Sequence, residues 1–263
     1  MEPSVFCAPI IEAYFKHYPI NEHIPVKIVL TDNLGQTHCE LRPDRREKLE
    51  KIGDASNDYN GRMVVPHELD GTIHVLLNSK KVVEYTNDRS MTWIGTLAHE
   101  LTHAIDYYQM ARKESLESYD PLEEISLYSM FQLWSEYHAR KIGYSFLREM
   151  LSVDIDPSKL NQQIAYINNK EWPFHRKRHY EEYHHTANGY QQMYITMQLL
   201  GRYSVWCDIY PQVLNGSNLT MDFADVPWMF HLFSFLYHHE SLDVIDNHFE
   251  DMRLILQENW PTV

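Results

Sequence analysis

Apolar residues recur along most of this chain at the three- and four-residue spacing of helices, and at strand spacing only in its first third. Residues 4–18 read as a short amphipathic helix. Ile24 to Thr31 is β-rich and alternating and predicts a strand, followed by a turn at Asp32-Asn33-Leu34-Gly35. Cys39 to Leu41 is a candidate for a short paired strand, and the charged stretch 43–60 for irregular or partly helical chain. Met63-Val64-Val65 and Thr72 to Leu77 flank Asp70-Gly71, the pattern of a hairpin with a tight turn. From Thr92 onward the expectation is helix: 92–112, then a long helix that begins after Asp120-Pro121, with Pro in its first turn, and runs to about 150. After a break at 154–158, helices are expected at about 159–169, 176–207, 224–238 and 241–258, with a loop at Asn215-Gly216-Ser217-Asn218. No internal repeat is evident. The fold class predicted is α+β, mainly helical, with a small N-terminal sheet and a C-terminal helical part. The boundary is placed so that 1–150 forms one domain and 151–263 a helical subdomain packed on it.

The 263 residues suffice for one large domain or two intimate subdomains, and 44% hydrophobic and 13% aromatic residues support a substantial core. A formal net charge of −14 repels phosphate backbones, so no nucleic-acid partner is expected. The basic clusters at Arg42 to Lys48 and at Arg176-Lys177-Arg178 read as solvated faces. No segment reaches the ~20 uninterrupted apolar residues of a membrane helix, and Met1-Glu2-Pro3-Ser4 lacks signal-peptide character. Cys7, Cys39 and Cys207 are odd in number and widely spaced, which suggests no disulfide framework. A cytoplasmic location is the simplest expectation.

The chemistry concentrates at His99-Glu100-Leu101-Thr102-His103. Two histidines four residues apart lie on one helix face and can reach one metal ion. A glutamate beside the first can hold and deprotonate a water, the arrangement of a zinc hydrolase. A surface accident is disfavoured by the context: Trp93 to Ala98 is mostly apolar, and Ala104 and Ile105 follow. Asp106, on the same face, could accept an imidazole N–H. Catalytic zinc ordinarily takes three protein ligands, and Glu123, Glu124 and Glu136 are candidates for the third. Glu123 and Glu124 sit in a first helical turn, where the helix dipole alone accounts for them. Glu136 shares a face with Ile125, Ser129, Leu133, Ala139, Gly143 and Leu147. A carboxylate on an apolar face is costly unless paired or metal-bound.

The run HELTHAIDY, followed by a helix carrying Glu136-Tyr137-His138-Ala139, resembles the ImmA/IrrE-type metallopeptidases, which have H-E-x-x-H and then E-x-x-A on the next long helix. It is similar too to the catalytic domain of anthrax lethal factor and its relatives. The resemblance covers residues 24 to 150. It implies a zincin-like core, with His99, His103 and Glu136 holding Zn2+ and Glu100 as general base, and it points to a regulatory protease.

The expected activity is therefore zinc-dependent hydrolysis of peptide bonds in a protein or peptide substrate. A non-catalytic zincin-derived binding protein and a zinc hydrolase of a non-peptide amide are the alternatives. The pair His175 and His179, with Glu182 nearby, is a weaker candidate for a second metal site. His184, His185, Tyr180, Tyr183 and Tyr190 are candidates to stabilise an oxyanion, and sequence does not choose among them. Substrate and oligomeric state are not encoded legibly.

Overall fold

A computed structural model describes residues 3–20, 24–47, 59–151, 157–210 and 227–258. It is mainly helical with one three-stranded sheet, as the periodicity predicts. The chain divides into two compact units, Met1–Ile125 with Ile142–Met150, and Ser126–Lys141 with Leu151–Val263.

In the first unit, α1 (Pro3–His17) precedes β1 (Val26–Thr31) and α2 (Leu34–Leu41). The turn and strand expected over 32–41 are instead this short helix. Asn33 is its N-cap, its side chain accepting from the Gln36 N–H at 2.9 Å, so the Asp-Asn pair starts a helix rather than a turn. Strands β2 (Gly61–Val64) and β3 (Ile73–Asn78) form the expected antiparallel hairpin. Its connection is wider than a tight Asp-Gly turn: Gly71 N–H bonds Glu68 O inside the loop, 3.1 Å away. Strand order is β1-β3-β2, with β1 parallel to β3 and β2 on an edge. Leu34, Val64 and Leu76 form a core on one face of the sheet. Gly61 and Leu77 face the other, against Thr96.

Two helices follow, α3 (Ser79–Asn87) and α4 (Thr92–Lys113), and both β2 and β3 pack on α4. Pro121 opens only a short 3-10 turn, Asp120–Glu124. Ile125 is extended and Leu127 has a φ of 66°, so the long helix α5 (Tyr128–Met150) starts later than Pro121 suggested. An ion network anchors this stretch: buried Arg42 donates to Val65 O, Pro66 O, Asp44 and Asp120, and Arg45 to Asp120 and Glu123.

In the second unit, α6 (Leu160–Tyr166) runs through a π-helical turn, Ile167–Glu171, into α7 (Trp172–His185). The single helix expected over 176–207 is broken at Thr186, which is extended. Asn188 then caps α8 (Gly189–Ile209) through Gln191 N–H. Helices α9 (Pro227–His238), α10 (Leu242–Ile245) and α11 (Phe249–Gln257) complete it. Trp134, Tyr137, Leu200, Tyr203, Trp206 and Phe233 are buried in it. Lys141 pairs with Asp208 and Glu240. The break expected at 154–158 and the loop at 215–218 lie largely outside the described residues. Among the described residues, no helix is long and apolar enough to cross a membrane.

Candidate metal centre

Helix α4 is enclosed by the sheet and by α1, which buries His99 and leaves His103 half-buried. His99 is 5% exposed, Glu100 8% and Asp106 1%. The i,i+4 spacing brings His99 Nε2 and His103 Nε2 to 3.1 Å, with the rings edge to face. Two imidazole lone pairs cannot oppose each other at that separation, so the nitrogens must share a proton or a cation. Two ligands of a tetrahedral zinc at 2.0–2.1 Å lie about 3.3 Å apart, so the pair fits such an ion.

Glu136 is placed to offer a third donor. It is 1% exposed, and one ligand atom from each of His99, His103 and Glu136 lies within 4.8 Å of the others. Among the described residues this is the one group of three or more His, Cys, Asp or Glu side chains so arranged. A mixed nitrogen and oxygen set of this kind suits zinc and neighbouring divalent transition ions. Arg140, one turn on from Glu136, places Nη2 3.5 Å from Glu136 Oε1.

Glycines set the approach of α5 to α4. A Cβ on Gly143 would stand 2.6 Å from Gly95 O, 3.0 Å from His99 Cβ and 3.1 Å from His99 N. The two backbones therefore meet at the first histidine, and only glycine permits it. Glu136 lies two turns earlier on α5, on the face of Gly143.

Glu100 projects to another side of α4, where Met63 N–H donates to its Oε2 at 2.7 Å. Asn78 N–H bonds Asn60 O next to the β2–β3 ladder. By the alternation of an antiparallel pair, Arg62 and Val64 then face β3, while Gly61 and Met63 turn their N–H and C=O groups to the free edge. The carboxylate is thus held at the outer edge of the sheet.

On a third side, Tyr14 of α1 meets Thr102 at 2.8 Å, and Thr102 in turn donates to Ala98 O. The Tyr14 hydroxyl is therefore the donor. Burial pushes its pKa far up and the Asp106 carboxylate adds to this, so it stays protonated.

The other sequence candidates do not belong to this group. Glu123 is paired with Arg45. His179 faces α8, its Nε2 3.1 Å from Thr196 Oγ1, and burial lowers its pKa to about 4. His184, His185 and Tyr180 are exposed, and Tyr190 donates to Gln132. Sequence reasoning did not single out Arg140, Met63 N–H or the Gly95–Gly143 contact. A glutamate and an arginine at i,i+4 were the available signal for the first. Comparison with family models, with curated proteins and with solved structures finds no match, so this centre is interpreted from its own geometry.

Proposed function

We propose that the chain is a zinc-dependent metallopeptidase that cuts within a protein or peptide substrate. The observation that carries this reading is the convergence of His99, His103 and Glu136 with Glu100 on the helix between the two histidines. A zinc ion bound there would polarise a substrate carbonyl and acidify a water. Glu100 takes a proton from the attacking water as its oxygen bonds to the carbonyl carbon and the C=O electron pair moves onto oxygen. The C–N bond then breaks, Glu100 returns the proton to the departing amine, and the carbonyl re-forms. Met63 N–H fixes one oxygen of that carboxylate.

The outward groups of β2 favour an extended peptide over a small amide. Gly61 C=O, Gly61 N–H and Met63 C=O point away from β3, and a substrate strand could add there by main-chain hydrogen bonds. The test is metal content and peptide hydrolysis of the native protein, Glu136→Ala and Glu100→Gln. The expected result is about one zinc per native chain, zinc lost from Glu136→Ala, and zinc kept but turnover abolished in Glu100→Gln. Turnover retained by Glu100→Gln, or no zinc in the native protein after reconstitution, would overturn the reading.

A further inference from the structure

Arg140 is poorly satisfied where it stands. A guanidinium offers five N–H donors. Its side-chain partner is Glu136 Oε1, at the long limit of 3.5 Å. Its Nε is buried and has no acceptor among the described residues. The side chain is 23% exposed, so solvent reaches part of it but not this nitrogen. A permanent cation held this way is costly. As a dedicated counter-ion to Glu136 it would be expected to form a short, two-pronged pair.

The surroundings add positive potential. Half-buried His175 lies close enough to Arg202, Arg178 and Arg140 that these charges add to the effect of burial, and its pKa falls to about 3. His175 is thus neutral, while Arg140 and Arg202 bring positive charge here, Arg178 being paired with Glu182, in a chain whose net charge is −14. Such a local reversal of sign beside a buried carboxylate suits an anionic oxygen that arrives with the substrate.

We propose that Arg140 is an oxyanion-binding catalytic residue: its guanidinium receives a negatively charged oxygen of a group seated at the His99, His103 and Glu136 centre. Two oxygens have that chemistry, the one that gains the carbonyl electron pair when water adds, and the terminal carboxylate of a peptide. The proposal rests on the metallopeptidase reading, because it needs an occupied metal centre beside Glu136.

The experiment uses the full chain loaded with cobalt(II), whose visible absorption reports the ligands around it. Native protein, Arg140→Ala and Arg140→Lys are each titrated with inorganic phosphate, a tetrahedral anion, and separately with acetate. The expected result is one cobalt per chain in all three. Phosphate affinity should be about 10- to 100-fold weaker in Arg140→Ala, the size of a lost charge-assisted hydrogen bond, and partly restored in Arg140→Lys. A loss confined to acetate would keep Arg140 as an anion site and assign it to a substrate carboxylate. Unchanged affinity for both anions in Arg140→Ala, with or without a change in cobalt affinity, would overturn the proposal and leave Arg140 as a counter-ion of Glu136. Failure of the native chain to take up cobalt would instead sink the metal reading itself, and this proposal with it.

Discussion

Gly143→Ala is the sharpest probe of how the helices build the centre. The added methyl would sit 2.6 Å from Gly95 O, where ordinary contact begins near 3.4 Å, so α5 and α4 must part by about 0.8 Å. The obstructing atoms are backbone and the His99 Cβ, none of which can swing aside. Overpacking of this kind costs about 1–3 kcal/mol. Alanine in place of a mid-helix glycine returns about 1 kcal/mol. The net loss of stability is therefore small, about 0–2 kcal/mol, and the melting temperature should fall by no more than about 8 °C. Metal affinity should suffer more. Glu136 rides on the same helix, and ligand sets tolerate errors of only about 0.2 Å in distance. A zinc competition titration against a chromophoric chelator should show a loss of about 10- to 100-fold. Gly71→Ala is the control, since its Cβ would meet Pro66 Cβ at 2.8 Å in the hairpin loop. It should lower stability and leave zinc affinity alone. Native zinc affinity in Gly143→Ala would refute the argument that this crossing sets the position of Glu136.

Other outcomes follow from particular contacts. Tyr14→Phe keeps the ring packing against Phe146 and loses the hydrogen bond to Thr102, so equilibrium denaturation should show a loss of about 1 kcal/mol; no change would mean that α1 is not fastened through that hydroxyl. Arg89 is exposed and left-handed at a φ of 61° just after α3, a position that favours glycine, and Arg89→Gly should stabilise the chain by up to about 1 kcal/mol in a thermal melt. Acid should weaken the fold in two stages. Burial, assisted by Arg62, Arg42 and Arg45, lowers His38 to about 3, and burial lowers His179 to about 4, so the unfolded chain protonates these first and stability falls as pH drops below 6.5. Partial burial raises Asp120, but hydrogen bonds from Arg42, His67 and Arg45 outweigh it and bring it down to about 2, so a second loss sets in between pH 3.8 and 2. A urea midpoint that stays flat from pH 7 to 5 would contradict the first stage.

The two histidines and Glu100 were legible because their relation is local: one helix face and five consecutive residues. Glu136 was legible through its neighbours, since an acidic residue among Leu133, Ala139 and Gly143 has few places to be except buried against a partner. Arg140 was not, because a glutamate and arginine at i,i+4 more often decorate a solvated helix surface, and only the burial of Nε sets this one apart. Secondary structure departs from the sequence pattern where a capping residue resembles a turn residue. Asn33 has the look of a turn residue in the sequence, yet its side chain opens α2. Thr186-Ala187-Asn188-Gly189 carries a helix stop and start that the apolar periodicity on either side obscured. Pro121 opened a helix of the wrong kind, because the left-handed Leu127 that ends the segment leaves no mark in a one-dimensional pattern. The contact of Met63 N–H with Glu100 depends on strand register, which the sequence does not state.

The order of strands has a consequence for how quickly the protein assembles. The β2–β3 hairpin closes a short loop and can form early. The parallel partner β1 must find β3 across the separation of Val26 from Ile73, 47 positions on. Closing that span costs roughly 3 kcal/mol of chain entropy before any contact compensates. Docking of β1 is therefore a late event of high contact order. Until it happens, one edge of β3, a largely apolar strand from Ile73 to Leu77 interrupted by His74, is unpaired and open to pairing with other chains. Nascent or refolding protein should be most prone to aggregate in that interval, and substitutions in β1 should hasten unfolding more than they slow folding.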